Sequence, residues 1–172
     1  MTKETKRDLE KSKILFSKIQ SEIERDLDCQ IISVEGNGKL AEQLDMISGI
    51  DYLVKTENGL RGLASRMQIS KCWETFTIRL SKNNISKTEY EKRKQSIQND
   101  FIYPYYTLQA YFGENSVDYA ICKTKGLYEL IERYPKRTKQ RSTSNANFIV
   151  VQWDDLGEDL LVKRHFKMVR EG

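Results

Sequence analysis

The stretch LDMISGIDYLVKTENGLRGLASRMQ, residues 44–68, places two acids, Asp45 and Asp51, ahead of a run that reads as a β-hairpin. Arg66 and Gln68 lie on the returning strand. Side chains alternate along a strand, so Arg66 and Gln68 share one face while Leu63 and Met67 take the other. Phosphodiester hydrolysis needs a Mg²⁺ held by a few carboxylate oxygens, which activates a water and neutralises developing charge. A glutamine beside such an ion can orient the water. An arginine there repels it: two unit charges about 5 Å apart at an effective dielectric near 20 interact by roughly 3 kcal/mol. Arg66 therefore disfavours a metal and favours a phosphate directly. Glu42 or Glu22 would have to supply a further ligand for a metal site to survive. The plainer alternative is turn chemistry for the two aspartates and a cross-strand pair between Asp51 and Arg66.

The elements that must position these residues follow from periodicity. Leu15, Ile19, Ile23 and Leu27 recur every four residues and predict one helix over 5–27. CQIISVEG reads as a short strand and KLAEQLDM as one helical turn. GIDYLVKTENGLRGLASRMQ predicts two strands joined at ENG, residues 57–59, with Asn58-Gly59 as the tight-turn signal. WETFTIRL alternates as a further strand, placing Thr75, Thr77 and Arg79 on one face. Ser86 to Glu89 reads as a capping box opening a polar helix. IYPYYTLQAYF is an aromatic strand whose regular pairing begins after Pro104, and SVDYAICK is another strand. TKGLYELIERY is a helix with Leu127, Leu130, Ile131 and Tyr134 on one face. PKRTKQRSTSNAN, residues 135–147, reads as a loop within a basic segment over 133–147, and NFIVVQWDD as a central or parallel strand. The expected fold class is α/β (α+β mixed): a central mixed sheet with an antiparallel three-strand meander flanked by helices. One domain over 1–172 is expected, with an N-terminal helix over 1–28, a core over 29–112 and a strand–helix–strand extension over 113–172.

Composition narrows the function. The 172 residues carry a net charge of +4, 38% hydrophobic and 31% charged residues, a balance that suits a globular chain and fits nucleic acid without demanding it. No apolar run is long enough to span a membrane, and the charged N-terminus MTKETKRDLEKSK lacks a signal core, so a cytoplasmic location is expected. Cys29, Cys72 and Cys122 lie far apart, which argues for reduced thiols rather than disulfides or a zinc site. The lone histidine, His165, excludes mechanisms that need two.

The pattern D-x5-D, hairpin, R-x-Q resembles the PD-(D/E)XK nuclease superfamily; in element order the resemblance covers residues 6–112, and in motif it rests on these few residues. The resemblance implies a restriction-endonuclease-like αβββαβ core. It places Asp51 on the metal-binding aspartate, Asp45 on an auxiliary acid, Arg66 on the usual glutamate and Gln68 on the usual lysine. YPYYTLQAY, residues 103–111, looks like the region that follows the core in RecB-type members, which makes Gln109 and Tyr111 functional candidates. The strict spacing is broken because position 113 is glycine. The resemblance thus implies Asp51 and Asp45 holding Mg²⁺, with Arg66 gripping the phosphate and Gln68 orienting water. The Lys-, Asn- and Ile-rich composition is similar to that of phage and plasmid proteins of low-GC Gram-positive bacteria, anti-CRISPR proteins among them. It implies a host-defence nucleoprotein as a partner.

Cations supply the expected nucleic-acid contacts. Arg133, Lys136, Arg137, Lys139 and Arg141 fill the basic loop; Lys163, Arg164, His165, Lys167 and Arg170 make a second patch. Thr77 and Arg79 are further phosphate contacts, and Tyr103, Tyr105, Tyr106 and Trp153 are candidate stacking platforms. RNA or DNA would be the partner. An inactive nuclease fold that only binds, or a protein inhibitor docking an acidic partner, is the alternative.

Overall fold

The computed structural model describes residues 3–34, 49–82, 88–143 and 146–168. Asp45, Glu42, the helical turn expected over KLAEQLDM, Ser86 and Arg170 lie outside them.

The N-terminal helix is two helices, α1 (Lys3–Ser17) and α2 (Gln20–Leu27). Lys18 N–H donates to the Leu15 carbonyl and Ile19 N–H to that of Phe16, tight i→i−3 bonds that turn the chain. The turn lets Phe16 join Ile19 and Ile23 in the core, where a straight four-residue stripe would have favoured Leu15 and Leu27. Phe16 stacks on Tyr52 with ring centroids 3.8 Å apart.

Three antiparallel strands follow: β1 (Gln30–Ser33), β2 (Tyr52–Thr56) and β3 (Gly59–Ile69). The β2–β3 turn is Glu57-Asn58, within the expected ENG. Gly59 is instead the first residue of β3, paired with Thr56, and takes the left-handed position at φ +110°. Gly62 lies under Ile50, and a Cβ there would come within 2.7 Å of the Ile50 Cδ1.

β5 (Tyr106–Phe112) runs parallel to β3, with Arg66 opposite Gln109 and Gln68 opposite Tyr111. Parallel neighbours need a crossover. Here it consists of β4 (Thr75–Lys82) and helix α3 (Glu89–Gln98). β6 (Ser116–Lys123) and β9 (Leu160–Lys167) extend the sheet to the order β1-β2-β3-β5-β6-β9. The order along the chain is therefore two helices, the meander β1–β3, β4, helix α3 and the parallel strand β5, in a mixed α+β fold.

β4 does not extend the meander. It pairs with β8 (Ala146–Gln152), which pairs with β7 (Lys139–Ser142), giving a second antiparallel sheet. Alternation makes both faces of β4 useful: Phe76 and Ile78 enter a core, and Thr75, Thr77 and Arg79 face the large sheet. The segment read as a basic loop is a 3₁₀ turn (Pro135–Arg137) followed by edge strand β7. β8 is central, as its apolar run suggests, but antiparallel to both neighbours.

The cap of α3 is Thr88 with Glu91, not Ser86 with Glu89. That frees Glu89 for the interior. One core lies between α1–α2 and the large sheet. The other lies on the opposite face, beneath the second sheet, α3 and α4 (Thr124–Arg133). Among the described residues no helix is long and apolar enough to cross a membrane.

Candidate functional site

Arg66, Gln68, Gln109 and Tyr111 stand side by side on the β3–β5 face that meets β4. Parallel pairing at this register forces the juxtaposition, because residues directly opposite across a ladder share a face.

Arg66 is held from the far side of the seam. Its Nη2 donates to Glu89 Oε2 at 2.8 Å and its Nη1 to Thr77 Oγ1 at 3.4 Å. Glu89 Oε1 accepts from Arg93 Nη1 at 2.8 Å, and Oε2 also accepts from Arg79 N–H at 3.3 Å. Burial pushes the Glu89 carboxyl up, but Arg93 and Arg66 outweigh it and hold it below the usual range. Burial likewise works against the Arg93 charge, and Glu89 more than restores it. Arg66 pairs here with Glu89 rather than with Asp51. Asp51 Oδ2 accepts from Ser65 N–H at 2.6 Å and from Ser65 Oγ at 3.2 Å.

A second set of contacts has a fixed direction. Arg66 can only donate, so Thr77 Oγ1 accepts from it. Thr77 N–H and Thr77 Oγ1 both donate to Gln109 Oε1, at 3.3 and 3.1 Å. Gln109 must then present Nε2 to Gln68 Oε1, at 3.0 Å. These donors determine the orientation of both amides. The Gln68 Nε2 is left as a donor. Gln109, 1% exposed, thus orients Gln68 from beneath it.

Tyr111 is fully buried, and its hydroxyl bonds both Oγ1 and the carbonyl of Thr75 at 2.8 Å. It pins the two sheets together.

Between the sheets lies a cleft of about 260 Å³. Arg66 and Gln68 form one wall, Phe148 and Val150 another, and Trp73 and Arg141 line it from the linker after β3 and from edge strand β7. Sequence reasoning missed Trp73 as a site residue. In the sequence it opens the strand WETFTIRL, whereas in the structure it sits in a bend where Glu74 adopts φ +49°. The Glu74 carbonyl accepts from Trp153 N–H at 2.8 Å and Glu74 N–H donates to Cys72 Sγ. Trp73 remains 43% exposed, with Lys71 Nζ 4.1 Å and Arg141 Cζ 5.0 Å from its ring centre. Phe148 has Arg66 and Arg79 at 5.4 and 6.0 Å. Among the described residues no carboxylate lines the cleft.

The other expected contacts scatter. Of the basic segment, Arg141 lines the cleft and Lys139 shares its strand face, while Arg133 lies at the end of α4 and Lys136 and Arg137 in the 3₁₀ turn. The C-terminal patch is largely neutralised: Lys163 pairs with Glu74 and Asp154, Arg164 with Asp26, and His165 with Asp118. Its cations alternate on an edge strand whose neighbours carry acids. Trp153 is 1% exposed and belongs to the core. Tyr105 carries Arg61 at 4.4 Å and meets Tyr106 edge-on, in a groove that also takes in Tyr103. Glu22 pairs with Arg25 on α2, which packs on the opposite face of the sheet.

The donor set of the described residues does not suit Mg²⁺. Among the described residues no three acidic, histidine or cysteine side chains cluster to hold a metal. One Asp51 oxygen is occupied by Ser65, and a guanidinium occupies the position where the resemblance puts a second acid. Compared with protein-family models, curated proteins and solved structures, the chain matches none.

Proposed function

We propose that this chain binds nucleic acid through the cleft between its two sheets and does not hydrolyse it. The observation that carries this reading is the 2.8 Å pair between Arg66 and Glu89. It fills with fixed, mutually neutralising charge the position where a nuclease of the resembled family would keep a metal-binding acid. What remains facing outward suits a polyanion: Lys71 and Arg141 at an exposed tryptophan, Lys139 on the same strand face as Arg141, and Gln68 oriented as a donor.

The test is fluorescence anisotropy with labelled single-stranded DNA, duplex DNA and single-stranded RNA, titrated across about 50–200 mM salt. Binding should weaken steeply with salt. Trp73→Ala should weaken it by about tenfold, the scale of one lost stacking platform. Absence of binding to all three probes, or binding indifferent to both Trp73→Ala and Arg141→Glu, would overturn the reading.

A further inference from the structure

We infer that the cleft is a reading pocket for one unpaired guanine, so that the preferred ligand is a single strand carrying that base. The inference rests on the nucleic-acid reading above and deepens it.

Among the described residues the cleft offers donors and no carboxylate acceptor. Gln68 presents its Nε2, because Thr77 and Gln109 fix both amide orientations. Arg141, exposed on β7, lines the cleft; among the described residues it has no carboxylate partner, only the Trp73 ring at 5.0 Å. The hydroxyls are already engaged. Thr75 meets Tyr111, and Thr143 Oγ1 donates to the Ala146 carbonyl at 3.0 Å while accepting from Ala146 N–H at 3.1 Å. The Ser70 hydroxyl donates to the Lys71 carbonyl at 3.0 Å, so the free donors facing a ligand are the Gln68 amide and the Arg141 guanidinium, and the edge that fits them presents acceptors. Guanine presents such an edge in O6 and N7, the pair an arginine fork engages bidentately. Adenine offers N7 beside an amino donor, which would face Gln68 and Arg141 donor to donor.

The walls favour a ring over a phosphate. Phe148, Val150 and Trp73 supply apolar and aromatic surface, against which a phosphate would lose water without replacement. A planar base stacks there. At about 260 Å³ the cleft lies at or below the small end of ligand pockets, which suits one ring system. It is recessed between two sheets, so a base must leave its helix to enter. The sugar–phosphate chain then passes outside, toward Lys71 and Lys139.

The experiment uses the whole protein and fluorescein-labelled oligodeoxyadenylate 11-mers whose central base is guanine, inosine, 7-deazaguanine or adenine. Guanine and inosine should bind alike, since both keep O6 and N7. Adenine and 7-deazaguanine should each bind about tenfold more weakly. Arg141→Lys keeps the charge and loses the fork, so it should retain affinity for the adenine oligomer and lose the preference for guanine. Gln68 and Arg141 are at the cleft surface, and Gln68→Ala should likewise flatten the series without unfolding the protein. Equal affinity for all four oligomers, with binding still dependent on Trp73, would overturn the guanine pocket and leave the nucleic-acid reading standing. No binding to any oligomer, to RNA or to duplex would overturn both and point to a protein ligand.

Discussion

Arg66 and Glu89, twenty-three residues apart in the chain, meet at 2.8 Å, and the same carboxylate holds Arg93 at 2.8 Å through its other oxygen. One glutamate from α3 thereby ties β3, through Arg66, to its own helix. Both guanidiniums are substantially buried: the side chains of Arg66 and Arg93 are 24% and 8% exposed. Removing the shared acid leaves two buried cations facing each other.

Glu89→Ala should therefore be the most damaging change in the seam. Breaking a buried pair from one side costs about 3 kcal/mol, which corresponds to a fall in Tm of about 10 °C for a chain of this size. Thermal unfolding followed by circular dichroism measures it. A Tm unchanged from the parent would show the pair to be unimportant to the fold.

The same group sets a pH dependence. The Glu89 carboxyl is held below its ordinary range in the folded state, so its contribution is fully present above that range and is lost as pH falls through it. Asp26, lowered by its bonds to Arg164, acts with the same sign. Stability should stay nearly level from neutral pH to about pH 5 and then decline. Urea midpoints measured from neutral to acid pH test this, and Glu89→Gln should flatten the acid limb.

How much of this was legible in the sequence differs element by element. The β2–β3 hairpin announced itself through alternation and a glycine at the turn, and β5 through its aromatic run after Pro104. β4 was legible as a strand, yet alternation says nothing about which sheet it joins, and its partner β8 lies some seventy residues on. The shared face of Arg66 and Gln68 followed from parity. Their partners did not: Glu89 looked like a capping residue until the structure gave that task to Glu91, and a long-range ion pair leaves no periodic trace. Trp73 was visible as an aromatic residue but not as an exposed one, because the bend at Glu74 has no sequence marker.

Tyr111→Phe separates pinning from chemistry. Among the described residues the hydroxyl bonds Thr75 alone, so its loss should cost about 1 kcal/mol of stability and leave nucleic-acid affinity unchanged. Chemical denaturation and anisotropy on the same protein read both. A large loss of affinity with an unchanged midpoint would assign Tyr111 to the ligand instead.

The thiols should be sluggish. Burial pushes Cys29 up to about 11, raises Cys72, and lifts Cys122 well above its ordinary value. At pH 8 a disulfide-exchange reagent should react slowly with the folded protein and quickly with all three thiols once guanidinium unfolds it. Immediate reaction of any thiol in the folded state would contradict this placement.

The measurement that bears most directly on a binding site without hydrolysis is incubation of the purified protein with labelled single-stranded DNA, duplex DNA and structured RNA. Each is run with Mg²⁺, with Mn²⁺ and with EDTA, beside Asp51→Ala. The account predicts shifted but intact nucleic acid, indifferent to EDTA and to Asp51→Ala, because Asp51 bonds Ser65 and Arg66 is committed to Glu89. Cleavage that requires the metal and disappears in Asp51→Ala would contradict it, and would make residues 44–68 a working nuclease site.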